Sequence, residues 1–245
     1  MNNITDWFLD LKADFLLNFA DESRWQFITS GLKNTLLITF FSLILGVVLG
    51  VIVAIVRSSY DKTHKDMRKG FKKSIFCVLN GICKIYLTVI RGTPVVVQLM
   101  IMYYLIFASS RNSLMVAILA FGINSGAYVA EIVRSGIMSI DEGQFEAGRS
   151  LGFDYKSTMW HIIIPQAFKN VLPALANEFI VLLKETSVAG YVTIRDLTMG
   201  GNIIRAATYS PFMPLVAVAL IYLVMVMFFT WLVGILERRL RKSER

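Results

Sequence analysis

Residues 35–56 read TLLITFFSLILGVVLGVIVAIV, twenty-two consecutive positions without a charged side chain. About 20 such residues are enough for a helix to cross a hydrocarbon core. A helix apolar on every side at that length has no amphipathic face to lay on a soluble core. The composition on either side agrees. Of 245 residues 56% are hydrophobic and 17% charged, and mean hydropathy is +0.60. A soluble domain carries about 45–50% apolar and about 25% charged residues. With five prolines and no low-complexity tract, collagen-like and disordered chains are excluded. Cys77 and Cys83 stand among lysines with no histidine nearby, so neither a disulfide framework nor a zinc site is expected. The sequence is that of an integral membrane protein.

Four further stretches are apolar enough to span: 85–108 (Thr93–Ala108 extended at its start by Ile85–Ile90), 114–133, 171–189 and 212–236. The expected fold is therefore all-α, with five transmembrane helices. An external N-terminal segment covers 1–34, the transmembrane domain 35–236, and a basic cytoplasmic tail 237–245. The first residues carry acids and lack a basic n-region, so no cleavable signal peptide is expected. In the N-terminal segment Ile4, Trp7, Phe8, Leu11, Phe15 and Leu16 recur at helical spacing with Asp6, Asp10 and Asp14 between them. That pattern predicts an amphipathic helix on the outer interface.

Five crossings place the termini on opposite sides, and the basic residues choose which. Nine fall in Arg57–Arg91: Arg57, Lys62, Lys65, Arg68, Lys69, Lys72, Lys73, Lys84 and Arg91. Arg134, Arg149, Lys156 and Lys169 follow in the third-to-fourth connection, and five more in the tail. Eighteen on this side against six on the other predict a cytoplasmic C-terminus and an external N-terminus. The net charge of +8 then answers to anionic lipid rather than to nucleic acid.

The connection over 137–169 is longer than a turn requires. Ser139 and Glu142 fit a capping box, with Asp141 as a rival N-cap, so a helix is expected from near Glu142. Phe145, Ala147, Gly148 and Leu151 offer it a contact face. Gly152 suits a left-handed stop. A second helix is expected from near Asp154 to just before Pro165, because the residue before proline disfavours helical angles. This segment is either a docking element or a hairpin that packs under the bundle; periodicity alone leaves both open.

The residues of this connection are recognisable. Glu146-Ala147-Gly148-Arg149-Ser150-Leu151-Gly152, nine residues, then Ile162-Ile163-Ile164-Pro165 resembles the EAA loop of ABC importer permeases. Gly148 stands where that pattern has its second alanine, and Ile164 where it has leucine. Arg91-Gly92-Thr93-Pro94 with Gln98, the stretch Ser125–Gly136, and Lys184-Glu185-Thr186-Ser187 resemble signatures of the polar amino acid branch. The resemblance covers about Thr35 to Leu236. It implies the type I importer architecture in a bacterial cytoplasmic membrane, with a cytoplasmic coupling helix.

The resemblance also implies partners. The chain has no Gly-x-x-x-x-Gly-Lys-Ser/Thr loop with which to cradle a nucleotide, so ATP and Mg would be bound by a separate ABC ATPase dimer and no cofactor by this chain. A second permease subunit (itself or a homologue), an extracytoplasmic amino-acid-binding protein, an amino acid substrate and the lipid bilayer complete the expected assembly. Glu142, Phe145, Glu146, Ala147, Gly148, Arg149, Leu151, Gly152 and Pro165 are the expected coupling residues. An arginine at Gly148 is expected to block docking in a chain that still folds.

Polar groups inside spans are costly and face protein or water. Asn124, Tyr128, Glu131 and Ser135 share one stripe of the third span. On the fourth, Asn177, Lys184 and Ser187 form one stripe and Glu178 and Glu185 another. A zwitterion needs partners of both signs. Glu131 or Glu178 suits the ammonium and Lys184 the carboxylate, though Glu131 also has Arg134 within one turn. Gln98 either faces the path or bonds across helices, while Met100, Met102, Tyr103 and Tyr104 read as packing. A channel or secondary transporter acting alone, or an intramembrane enzyme, would need neither the Glu146–Pro165 loop nor its spacing. The enzyme would also need a nucleophile–base pair or metal cluster, and His64 and His161 are isolated.

Overall fold

The computed structural model describes residues 2–64 and 70–242, with side chains from 9 onward except at 63, 241 and 242. The expected N-terminal stripe residues Ile4, Asp6, Trp7 and Phe8 fall outside the described side chains, and Lys65, Arg68, Lys69 and Arg245 outside the described residues. Everything described is helical or irregular, with no strand. The helices are α1 (Asn2–Phe15), α2 (Trp25–Thr63), α3 (Phe71–Gly92), α4 (Val95–Ile101), α5 (Ser113–Met138), α6 (Glu142–Ser150), α7 (Tyr155–Thr158), α8 (Ile164–Glu185), α9 (Leu197–Thr208) and α10 (Phe212–Lys242).

Four of these are long and apolar enough to cross a membrane: the bulk of α2, α3, α5 and α10. Their surfaces agree. Phe40, Phe41, Ile44, Val48, Ile52 and Ile55 of α2 are exposed, as are Leu220, Leu223, Val224 and Met227 of α10. Water would not tolerate such a continuous apolar exterior. α8 has the length, 22 residues, but Lys169, Asn170, Asn177, Glu178, Lys184 and Glu185 keep it less apolar than the four.

The second expected span differs in kind. Residues 85–108 are not one helix. α3 already begins at Phe71 and ends at Gly92, and a short second piece, α4, continues as a π turn over Met102–Ile106. The break falls at Thr93-Pro94, where Thr93 is extended (φ −123°, ψ 147°). Proline lacks the N–H that would continue the helix, and its ring pushes the preceding residue out of the helical region. Lys84 and Arg91 thus belong to a helix rather than to a basic connection. Ile75, Val78, Leu79, Ile82, Ile85 and Val89 form its exposed apolar face, while Asn80 is buried.

α2 and α5 make the central seam, and small residues let them close. A β-carbon added at Gly46 or Gly50 of α2 would lie 2.9 Å from Ser125 Oγ or 2.6 Å from Val129 Cβ. One added at Gly122 or Gly126 of α5 would lie 2.6 Å from Leu45 or 2.7 Å from the Tyr86 hydroxyl. Each helix therefore presents a small-xxx-small pair to the other, the device by which membrane helices gain van der Waals contact without a hydrophobic driving force. A polar tie fastens the seam, Ser42 Oγ donating to Ile118 O (3.1 Å), and Tyr86 of α3 donates to Ile123 O of α5 (2.6 Å) beside it. Toward the other end of α2, Ile28 packs with Leu197, Ile204 and Val218. The buried Asp196 caps α9 through the amides of Thr198 and Met199. Burial raises the pKa of its carboxyl, and those amide bonds oppose the shift. Asn18, fully buried, donates to Asp14 O and accepts from Thr208 Oγ1, which fastens the N-terminal segment to the end of α9.

Candidate functional site

The loop over 137–169 begins with a cap. Asp141, not Ser139, is the N-cap of α6, accepting from Gly143 N at 2.7 Å. Ser139 is spent elsewhere, donating to Gly136 O and accepting from Asn170 Nδ2, so the capping box does not form. Gly152 takes φ +81° and ends α6 as expected. The Phe153 amide reaches Gly148 O at 3.0 Å and the Gly152 amide Arg149 O at 2.9 Å, the paired bonds of a Schellman stop.

Beyond it the chain departs from expectation. Asp154 caps α7 through the Ser157 amide at 2.8 Å, and bonds from Ser157 hold its carboxyl below the usual aspartate range. The helix then does not stop before Pro165. A π turn over Met159–Ile163 carries it into α8, with Pro165 in the first turn. A π turn bonds five residues back, here Ile164 N to Met159 O, and so re-satisfies the backbone around a residue that has no N–H to give. Pro165 is a junction within one long helix and marks no end.

The expected coupling residues divide between two faces. Phe145 and Gly148 are buried. Phe145 lies under the Lys62 ammonium, 4.6 Å from its ring centre, and Lys62 also pairs with Glu142 at 3.2 Å. A β-carbon on Gly148 would lie 2.7 Å from Thr158 of α7. The small residue therefore serves closure of the loop on itself, and an arginine there would wedge α6 from α7, contrary to the expectation that it leaves the fold intact. Glu146, Ala147, Arg149 and Leu151 are exposed, Leu151 to 72%, and Glu146 and Arg149 rim an open cavity of about 310 Å³ with Lys62 and Tyr155.

Above this loop, between α3, α5 and α8, lies an open cavity of about 460 Å³ lined by Arg91, Tyr128, Glu131, Ser135 and Glu178 among others. Arg91 approaches Glu131 at 3.6 Å and stacks over Tyr128 at 5.7 Å. Glu131 also meets Arg134 at 3.4 Å. Glu178, mostly buried, accepts from Ser125 Oγ at 2.8 Å. Tyr128, Glu131 and Glu178 thus converge, and Arg91, singled out in the sequence only as part of a signature and a charge count, supplies the cation. Its signal was a charged residue amid apolar ones.

The remaining expected residues go elsewhere. Gln98 Nε2 donates to Ile90 O, Thr93 O and Thr93 Oγ1, and its Oε1 accepts from Asn124 Nδ2 at 2.9 Å. It stitches the α3–α4 break to α5, so of its two readings the cross-helix bond is the one observed. Lys184 and Asn177 are exposed on α8 and neither lines the cavity. Lys184 is six residues past Glu178, about 9 Å further along the helix. Glu185 and Ser187, half-buried, also lie beyond the cavity's lining. Met102 and Tyr103 pack against the core around Ile38, Leu99 and Phe121, whereas Met100 and Tyr104 are exposed.

Comparison with known proteins gives a consistent result. Residues 75–242 match the family described as binding-protein-dependent transport system inner membrane component. The arginine transport system permease protein ArtQ of Bacillus subtilis is 36% identical over 221 residues, covering 89% of this chain and 94% of ArtQ. The L-cystine transport system permease protein TcyB of the same organism is 31% identical over 226 residues, covering 91% and 90%. Among solved structures, an amino acid ABC transporter crystallised with histidines superposes with a TM-score of 0.76 at 39% identity, covering 87% of this chain and 94% of that one. The chain belongs to the binding-protein-dependent transport system inner membrane components: it is a multi-pass permease subunit of an ABC importer and not itself an enzyme.

Proposed function

We propose that this chain forms one half of a pathway for a polar amino acid, driven by a separate ABC ATPase dimer that binds ATP and Mg. The observation that carries the substrate class is the convergence of Arg91, Glu131 and Glu178 on one cavity, which offers a zwitterion both signs of charge. The names of the relatives, an arginine and an L-cystine permease, support the same class. In this reading Glu131 or Glu178 meets the ammonium, and Arg91 rather than Lys184 meets the carboxylate. An external binding protein delivers the substrate and a second permease subunit completes the path.

The ATPase docks on the exposed face of α6, through Glu146, Ala147, Arg149 and Leu151. Phe145, Gly148 and Glu142 hold that helix in place from behind. α8 serves as the fifth crossing, with Asn170 and Glu178 turned to the path. Fourteen of the eighteen basic residues remain outside α3 once Lys72, Lys73, Lys84 and Arg91 are removed, and their side supports a cytoplasmic C-terminus and an external N-terminus.

The test is uptake of radiolabelled amino acids into vesicles holding the complete transporter. Glu131→Gln is expected to raise the half-saturating concentration about tenfold, the worth of one charge-assisted hydrogen bond. Lys184→Gln is expected to change it little. An unchanged Glu131→Gln transporter beside a crippled Lys184→Gln one overturns the assignment of the cavity.

A further inference from the structure

The acidic and basic groups of the cavity do not end there. Glu131 lines the cavity, and Arg134, one turn on, lines a neighbouring one of about 340 Å³ together with Asp61, Lys62, Glu142, Phe145 and others. A chain of charges runs between the two. Arg91 meets Glu131 at 3.6 Å, Glu131 meets Arg134 at 3.4 Å, and Arg134 meets Asp61 at 3.4 Å. Asp61 is followed by Lys62, which holds Glu142 of α6 at 3.2 Å and covers Phe145. Four elements contribute: α3, α5, the last turns of α2, and α6.

The geometry is that of pairs ready to exchange partners. Charge-assisted bonds close to about 2.7–2.9 Å when tight, and the three pairs around Glu131 and Arg134 are all looser than that. Arg134 also has a buried Nε without a partner among the described residues, so its fork of donors is not saturated. A group with spare donors between two carboxylates can shift toward either.

We propose that Asp61 and Lys62 are positioning residues through which the charge state of the cavity sets the seat of α6. The proposal rests on the amino acid pathway proposed above. An ammonium at Glu131 and a carboxylate at Arg91 compete with the pairs those residues make to each other and to Arg134. Arg134, losing its hold on Glu131, closes on Asp61. The last turn of α2 then shifts, and Lys62 carries Glu142 and the Phe145 ring with it. Occupancy is thereby read at the docking helix through side chains that touch neither substrate nor ATPase. A shared element biased from both ends is what thermodynamic coupling between two sites requires.

The experiment uses the whole transporter in liposomes and reads the ratio of ATP hydrolysis with loaded binding protein to hydrolysis without it. Asp61→Asn and Lys62→Glu are each expected to lower this ratio between about twofold and thirtyfold, the range for residues that modulate coupling, while the ATPase still co-purifies. Lys62→Glu combined with Glu142→Lys is expected to restore it, which a role of Lys62 independent of Glu142 would not do. A wild-type ratio in both single variants overturns the proposal and leaves the importer reading standing. So does a lost ratio that the exchange fails to restore in an assembled complex. Absence of stimulation in the wild-type transporter overturns the importer reading and this proposal together. If Asp61→Asn does not assemble, the exchange pair alone decides.

Discussion

The α2–α5 seam and the α6–α7 loop are both closed by glycine, to opposite ends. In the seam, Gly46, Gly50, Gly122 and Gly126 let two span-length helices approach over several turns, and the faces that meet are closed to any other partner. In the loop, Gly148 lets a nine-residue helix fold against Thr158. That single contact, with Phe145 beneath Lys62, turns the rest of α6 outward. The difference is one of length. Long apolar helices bury small residues in series and become rigid, whereas a short polar helix is held at a few points and keeps a free face.

The largest expected effect breaks the seam. Gly50→Leu would place side-chain atoms where even a β-carbon lies 2.6 Å from Val129, and overpacking of this kind costs about 3 kcal/mol or prevents insertion. Thermal unfolding of the purified transporter in detergent checks it. Gly148→Arg is expected to come next, opening the loop locally: limited proteolysis should cut between α6 and α7 in the variant and not in the wild type. A seam variant as stable as wild type, or a protected Gly148→Arg loop, would erase the distinction.

Asp196→Ala tests how α9 is fastened beside the N-terminal half of α2. It removes two amide bonds from α9 and should cost about 2 kcal/mol, the upper end for an N-cap, because the site is buried. Glu146→Arg tests the free face. Its stability change should stay within about 0.5 kcal/mol, yet co-purification of the ATPase should fall sharply. The smallest effect is one of pH. Bonds from Ser157 lower the pKa of Asp154, so ionised Asp154 stabilises the α7 cap above the ordinary value of 3.8. That stabilisation is lost as pH falls through the lowered folded value. Protection of the Ser157 amide, its exchange rate relative to the intrinsic rate at each pH, should accordingly be high at pH 5 and lower below pH 3.

How much of this was legible depended on where the signal lay. The charge-free run of α2, the Gly152 stop and the helix start near Asp154 are statements about neighbours in sequence, and all three appear in the structure. α3 was missed because Lys72, Lys73 and Lys84 interrupt an apolar face that only a helix assembles. Pro165 misled because the rule about residues before proline assumes an α-helical register, and the chain takes a π turn instead. Gly148 was seen as small but could not be assigned a neighbour, since Thr158 lies across a turn.

By itself the sequence determined that the chain is all-helical and membrane-embedded, and that a polar loop with importer spacing interrupts it, because length, apolarity and motif spacing are local quantities. Only the tertiary structure decided that Arg91 rather than Lys184 stands opposite Glu131, that Gln98 is spent on Asn124 and the helix break, and that α6 turns Glu146 outward and Phe145 inward. Those outcomes depend on which helices pack together and at what height, and the small residues of the seam set both through contacts that no periodicity encodes.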